Sequence, residues 1–316
     1  MSASASRPRW LVTGGCGFVG VNLLRRLAAR NIPVRVLDSL VGGRREDIAG
    51  LGAELVVGDI RDPETVGRAL AGIDVVVHLA AHTRVIDSIE DPWLNFDVNA
   101  RGTLTLLEAA RRSGVRRFIL ASTGGAILGE AEPPVHEDMP PRPLSPYGAS
   151  KLACEGYCSA YLGSYGLETV ALRFSNVYGP YSYQKGSVVA AFFKRILAGE
   201  PLVVYGDGRQ TRDFLYVADL CDAVEAAAER DCAGQVFHIA SGVETEIVAI
   251  AEMMLAVTGA RAAIRREPAL AGEVRRNCAR VDRATAVLGY RPATPLADGL
   301  AATWQWFRTR AGSGGP

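Results

Sequence analysis

The sequence predicts an α/β protein: a doubly wound parallel sheet with helices on both faces, followed by a smaller mixed C-terminal domain. Three observations carry this. Six short runs rich in β-branched residues are nearly continuously apolar, as strands covered on both faces must be. Segments of helical periodicity fill the gaps between them, and strands alternating with helices of this length close only as right-handed crossovers of a parallel sheet. Past residue 175 the regular alternation gives way to a mixed pattern.

In chain order the strand runs are WLVTG (10–14), VRVLD (34–38), ELVVGD (54–59), DVVVHLA (74–80), RFILAS (117–122) and ETVALRF (168–174). Helices are expected at 18–30, 63–71, 95–113 and 146–165. Later come a helix at 187–200, a short strand and turn in PLVVYGDG, a helix at 217–230, one more core strand in QVFHIA (235–240) and a helix at 246–258. An Arg-rich, Pro-punctuated tail closes the chain. The expected division is a first domain over 8–175, completed by segments at about 213–241, and a cap built from 176–212 and 242–310. The Ser/Ala-rich residues 1–7 and the Gly-rich residues 311–316 read as disordered.

Composition narrows the function. A chain of 316 residues, 48% hydrophobic and 22% charged, buries a substantial core. A net charge of +1 and a pI near 7.6 point away from nucleic-acid and membrane surfaces. No signal-like apolar segment or membrane-length run is present. The six cysteines lack metal-site spacing, so reduced thiols, a cytoplasmic protein and no metal are expected. Lysine is scarce: Lys151, Lys185 and Lys194 are the only three.

VTGGCGFVG sets Gly14, Gly17 and Gly20 between the first strand and the first helix, with Phe18 and Val19 between the last two. Glycines there allow a tight turn and let a pyrophosphate approach backbone N–H groups at a helix N-terminus. Asp38 ends the second strand, where a carboxylate can hold the ribose hydroxyls of NAD and repel the 2′-phosphate of NADP. Asp59 and Ile60 of VGDI are placed to hold the adenine, and Leu79, Ala80 and Ala81 of HLAA to line the nicotinamide ribose. His78 reads as a structural strand-end histidine. NAD is the expected cofactor, although Arg44 and Arg45 soon after Asp38 leave NADP open.

SPYGASK carries Tyr147-x-x-x-Lys151 at the start of a helix, and a spacing of four puts both on one face. An ammonium near the phenol favours phenolate, which makes a base able to take a hydroxyl proton. The same spacing recurs at Tyr181 and Lys185, but in a loop-like stretch where it fixes no geometry.

Taken together, the glycine turn, Asp38, HLAA, Asn99, STGG, YGASK, RFSNVYGP, YGDGRQTRDFLYVADL and GEVRRNCA resemble the extended short-chain dehydrogenase/reductase superfamily in its nucleotide-sugar epimerase/dehydratase branch, over about residues 8–307. The resemblance implies a Rossmann-type NAD-binding domain to which Asn99 contributes, and a cap that takes a nucleotide sugar, UDP-linked. Asn176 would meet its phosphate, Val188 and the following helix its base, with Tyr205 nearby. Arg212 would clamp the diphosphate, with Arg275 or Arg276 closing on it. Asn277 would stand at the gate that sizes the sugar. Arg84 is placed to pair a C6 carboxylate. The helices at 95–113 and 146–165 would form a homodimer.

Relatives share removal of the O4 proton by the tyrosine and differ in the fate of the 4-keto sugar. By the resemblance, 4,6-dehydratases place Asp-Glu directly after the catalytic Thr, and glucuronate decarboxylases keep a Glu in that turn. Here STGGA offers Gly124, Gly125 and Ala126. A 4-epimerase needs hydroxyls and room for a turning ring, so a UDP-sugar 4-epimerase is the first expectation and a decarboxylase or dehydratase the alternative. A non-catalytic NAD-binding sensor is a third reading, disfavoured by the intact Tyr/Lys pair. The working hydroxyl is Thr123 or Ser122.

Overall fold

The computed structural model describes residues 7–269 and 274–312. Seven strands form one parallel sheet: β1 (Trp10–Thr13), β2 (Val34–Asp38), β3 (Glu54–Val57), β4 (Val75–His78), β5 (Arg117–Thr123), β6 (Glu168–Phe174) and, after three strands that lie elsewhere, β10 (Val236–Ile239). Their spatial order is β10-β6-β5-β4-β1-β2-β3. The chain therefore winds outward one way through β2 and β3, then crosses β1 to wind the other way. The crevice where the order reverses, beyond Thr13 and His78, is where such sheets receive ligands.

Helices cover both faces: α1 (Phe18–Ala29), α2 (Pro63–Leu70), the short α3 (Val85–Glu90) and α4 (Pro92–Phe96), α5 (Gly102–Arg112), α6 (Gly124–Leu128) and α7 (Pro146–Tyr165). After α8 (Val188–Ala198), which belongs to the C-terminal part, α9 (Val217–Glu229) returns to the sheet. The single helix expected at 95–113 is α4 and α5 joined by one wider, π-type stretch at Asp97–Arg101. The central strands carry fully buried runs, with Leu11, Val12, Val36, Val76, Val77, Phe118 and Leu120 at 0% exposure. This is the continuous apolar signature read in the sequence, and it feeds two cores, one on each face.

The C-terminal part is mixed. The parallel pairing of β7 (Asn176–Tyr178) with β9 (Thr211–Tyr216) is joined by antiparallel β11 (Glu244–Glu246), and β8 (Leu202–Tyr205) pairs with β12 (Ile264–Glu267). Besides α8, helices α10 (Ile247–Thr258) and α12 (Leu296–Gly312) complete it, whereas α11 (Asp282–Leu288) packs back on β10 and α9, with Ala284 and Leu288 in a core of the parallel sheet. Phe192, Phe193, Ile250, Met254, Leu300 and Phe307 form a separate apolar core there.

The Arg-rich, Pro-punctuated tail carries two helices, α11 and the longer α12. Leu300, Thr303 and Phe307 bury one face of α12, a spacing of three and four that a Gly- and Trp-containing sequence disguises. Ala311 and Gly312, expected to be disordered, end that helix. Arg7 is described without regular structure, while residues 1–6 and 313–316 lie outside the described residues.

Candidate active site

The strand ends open on a cleft of about 1250 Å³ that runs from the glycine turn to α8. At its first end Gly14 has φ +69°, and a Cβ there would stand 2.8 Å from the Ala80 nitrogen. A Cβ on Gly20 would lie 2.5 Å from the Gly14 carbonyl, so only glycine lets α1 start this close to the turn. No side chain caps α1, whose N-cap is Gly17, leaving its first N–H groups for an anionic ligand. Gly14, Gly17, Phe18, Val19 and Gly20 all line the cleft. This cradle fits the pyrophosphate of a dinucleotide.

Asp38 is buried on the cleft wall. One carboxylate oxygen accepts from the Cys16 N–H at 2.9 Å and the other from the Leu40 N–H at 2.8 Å. It thus shapes the turn and keeps lone pairs for a ribose. Asp59 and Ile60 also line the wall. Arg61, 2.6 Å from the Asp59 carboxylate, is the largest influence holding that group below its ordinary pKa. Leu79, Ala80 and Ala81 form the opposite side, where Thr13 Oγ1 accepts the Ala80 N–H at 3.2 Å. His78 bridges Thr13 and Thr103 at 2.7 and 2.9 Å, and burial pushes its pKa down to about 3. It is the neutral structural residue its strand-end position suggested. Asn99 sits behind the wall rather than on it: its Oδ1 accepts the His82 N–H at 2.7 Å and its Nδ2 donates to Ser150 Oγ at 3.0 Å. It positions the 79–83 segment against α7.

The hydroxyls and the phenol meet at the middle of the cleft. Ser145 caps α7 by accepting the Gly148 N–H, Pro146 sets its first turn, and Tyr147 and Lys151 follow on one buried face. Burial is the main influence on Tyr147 and pushes its phenol up to about 12, with a hydrogen bond from Thr123 pulling the other way. Lys151 donates from Nζ to the Ala121 carbonyl at 2.9 Å, and burial lowers its pKa.

Ser122 and Thr123 now separate. Ser122 Oγ donates to Glu155 Oε1 at 2.6 Å, and Glu155 is held by Arg173 at 3.0 and 2.8 Å, all three buried. Thr123 is the hydroxyl left facing Tyr147. Gly124 and Gly125 are not on the cleft wall, which corrects the expectation that they give a turning ring its room. A Cβ on Gly124 would stand 2.6 Å from the His238 ring, and one on Gly125 would stand 2.2 Å from Asn277 Nδ2. The missing side chains make space for those two residues. Asn277 accordingly packs on the turn and is not on the wall.

Toward the second end, Asn176, Val188, Tyr205 and Arg212 line the cleft, and Arg212 donates from Nη1 to the carbonyls of Thr211 and Val274 at 2.7 and 2.8 Å. Arg84 stands at the rim, exposed, with Asp87 at 3.2 Å. Arg275 is off the wall and pairs with Asp207 at 2.7 Å, and Arg276 pairs with Glu244 at 2.8 Å. The Gly272 and Glu273 that precede them in GEVRR lie outside the described residues. Sequence reasoning passed over Lys185, Ser175, Trp306 and Arg310, all on the wall. Only the rarity of lysine pointed to any of them. Among the described residues no cluster of acidic, histidine and cysteine side chains forms a metal site.

A dinucleotide cradle that opens onto a buried Tyr/Lys pair and a hydroxyl defines a nicotinamide-dependent enzyme of the short-chain dehydrogenase type. Residues 10–240 match the NAD dependent epimerase/dehydratase family, and the chain belongs to it. It is 38% identical to a UDP-glucose 4-epimerase of Mycolicibacterium smegmatis, over 96% of this chain and 99% of that one. It is 35% identical to a dTDP-glucose 4,6-dehydratase of Streptomyces niveus, over 95% and 93%. The structure of a Thermus thermophilus UDP-glucose 4-epimerase in complex with NAD superposes with a TM-score of 0.89 at 38% identity, covering 95% of this chain and 99% of that one.

Proposed function

We propose that the protein is an NAD-dependent UDP-sugar 4-epimerase that inverts C4 of a nucleotide hexose through a transient 4-keto sugar. The observation that carries this reading is the turn after β5. Thr123 faces Tyr147, and no acid follows it, because His238 and Asn277 occupy the space that side chains at 124 and 125 would need. An elimination of water across C5 and C6 needs an acid and a base at that turn; inversion does not. The dehydratase relatives keep that reaction as the alternative.

In this reading NAD lies along Gly14, Gly17, Phe18, Val19, Gly20, Asp38, Asp59, Ile60, Leu79, Ala80 and Ala81, with Asn99 behind them. When bound, NAD would supply the hydride acceptor and donor for C4 and a positive charge that favours the deprotonated phenol. Tyr147 accepts the O4 proton and gives it back once the ring has presented its other face. Thr123 fixes the phenol and O4 by hydrogen bonding, and Lys151 supplies a positive charge that favours the deprotonated phenol in the transition state. Asn176, Val188, Tyr205 and Arg212 hold the nucleotide and its diphosphate. Arg275 and Asn277 contribute from behind the wall, and Arg84 reads a C6 carboxylate at the rim. Residues 8–175 with 213–241 form the cofactor domain; 176–212 and 242–310 form the sugar-nucleotide cap.

Two wider statements belong to the same reading. The chain works as a homodimer through the α3–α5 and α7 face, where Trp93 is 80% exposed, with Ile86, Ile89 and Phe96 also uncovered. It works in the cytoplasm, which agrees with six free, buried cysteines. No helix among the described residues is long and apolar enough to cross a membrane.

Proton NMR in heavy water tests the reaction with UDP-glucose, UDP-N-acetylglucosamine, UDP-glucuronate and TDP-glucose. Inversion at C4 without deuterium uptake is the expected result. Deuterium uptake with loss of water would replace it with a dehydratase, and loss of C6 with a decarboxylase. Purified protein that carries NAD, turns over none of these sugars and does not reduce the cofactor with any of them would return the sensor reading.

A further inference from the structure

Lys185 is the one cleft lysine that the proposed chemistry does not use. Its Nζ donates to the Val177 carbonyl at 2.9 Å and lies 5.1 Å from the centre of the Phe18 ring. Phe18 opens α1 beside the glycine turn, and Val177 follows Asn176 on β7. The ammonium therefore sits where the cofactor end of the cleft meets the sugar-nucleotide end. Its loop is pinned: the Lys185 N–H donates to the Ser182 carbonyl at 2.9 Å, and Ser182 Oγ donates to the Gly179 carbonyl at 2.6 Å.

This ammonium is short of partners. One carbonyl and one aromatic face meet it, and burial alone pushes its pKa down to about 8, with no carboxylate acting on it. A cation desolvated in this way is unfavourable unless an anion completes its surroundings. Two residues on, Ser187 has a buried Oγ with no hydrogen-bond partner and stands at the N-cap of the eleven-residue α8, where no side chain caps the helix. An underpaired ammonium, an unpartnered hydroxyl and open helix N–H groups all line the same wall.

We propose that Lys185, with Ser187 and the first turn of α8, binds a diphosphate in the cleft. The inference rests on the reading that the cleft takes NAD and a sugar nucleotide, both of which carry that group. It adds a clamp separate from Arg212 and from the glycine turn. It also gives the second Tyr-x-x-x-Lys match a use unrelated to its spacing: Tyr181 packs at a tilt against Trp306 while Lys185 turns to Phe18.

The test uses the NAD-loaded enzyme, Lys185→Met and Lys185→Arg. UDP and uridine affinities are measured by calorimetry, and NAD release is measured by the fluorescence of the reduced cofactor during exchange. If the sugar nucleotide is the source, Lys185→Met weakens UDP about 10- to 100-fold and leaves uridine unchanged. If NAD is the source, the same variant speeds cofactor release by a similar factor, with UDP unaffected. In either case Lys185→Arg keeps most of the affinity. Unchanged UDP binding and NAD release in a folded Lys185→Met overturn the inference, as does equal loss for uridine. Should Lys185→Met not fold, Ser187→Ala takes its place, with a change of about fivefold expected in one of the two readouts; no change in either overturns the inference. Wild-type protein that binds neither UDP nor NAD overturns the underlying reading instead.

Discussion

Replacing each of the two adjacent hydroxyls in turn separates structure from chemistry. Thr123→Val keeps the volume and removes the hydroxyl that bonds the Tyr147 phenol. A lost hydrogen bond to charge that develops in the transition state lowers kcat about 100- to 1000-fold. Tm should barely move, because no buried partner other than the phenol loses a bond. The same hydrogen bond lowers the Tyr147 pKa, so the tyrosine limb of the pH–rate profile moves to higher pH.

Ser122→Ala does the reverse. It strips a 2.6 Å hydrogen bond from Glu155, whose carboxylate stays buried with Arg173 as its remaining partner. That costs about 1–3 kcal/mol, seen as a fall in Tm of several degrees, while kcat stays close to the parent value. The assay is steady-state C4 inversion with calorimetric melting of the NAD-saturated protein. A Ser122→Ala enzyme slower than Thr123→Val would refute the assignment of the working hydroxyl.

Three further outcomes rest on the same contacts. Gly124→Ala puts a methyl 2.6 Å from the His238 ring, an overpacking cost of about 1–3 kcal/mol; denaturant melts should show His238→Ala relieving most of it, and purely additive losses would mean that the two residues do not touch. His78 and His238 both have pKa values pushed by burial to about 3, below the unfolded value of 6.5, so the unfolded chain binds more protons between those limits. Their contribution to stability is full above pH 6.5 and falls as pH drops toward 3, and His78→Gln should flatten that decline in urea melts. Phe307→Ala removes a fully buried ring from the C-terminal core and should cost about 3–5 kcal/mol in chemical denaturation.

Most of the site's cofactor end was legible along the chain. The glycine turn, Asp38 and the Tyr147/Lys151 pair are local patterns: each needs only a strand end, a turn or one helical repeat, and all of them line the cleft. The later segments were harder because their partners are distant. Nothing around 296–312 announces a helix until Phe307 meets Phe193 across the C-terminal core, their ring centres 5.3 Å apart. Arg275 and Asn277 were assigned to the site by motif, but Arg275 pairs with Asp207 and Asn277 fills the space beside Gly125, both off the wall.

Neighbouring positions alone specify the parallel sheet, the cofactor cradle and the lack of acids directly after Thr123, since strand period, turn chemistry and residue identity are all local properties. Which hydroxyl faces the phenol is a matter of folding: Glu155 and Arg173 claim Ser122 from another helix and another strand. Folding also explains why the turn is glycine. Read along the chain, Gly124 and Gly125 made room for the sugar, whereas in three dimensions their space goes to His238 and Asn277. A side chain's partner depends on what the fold brings beside it, and no local period records that.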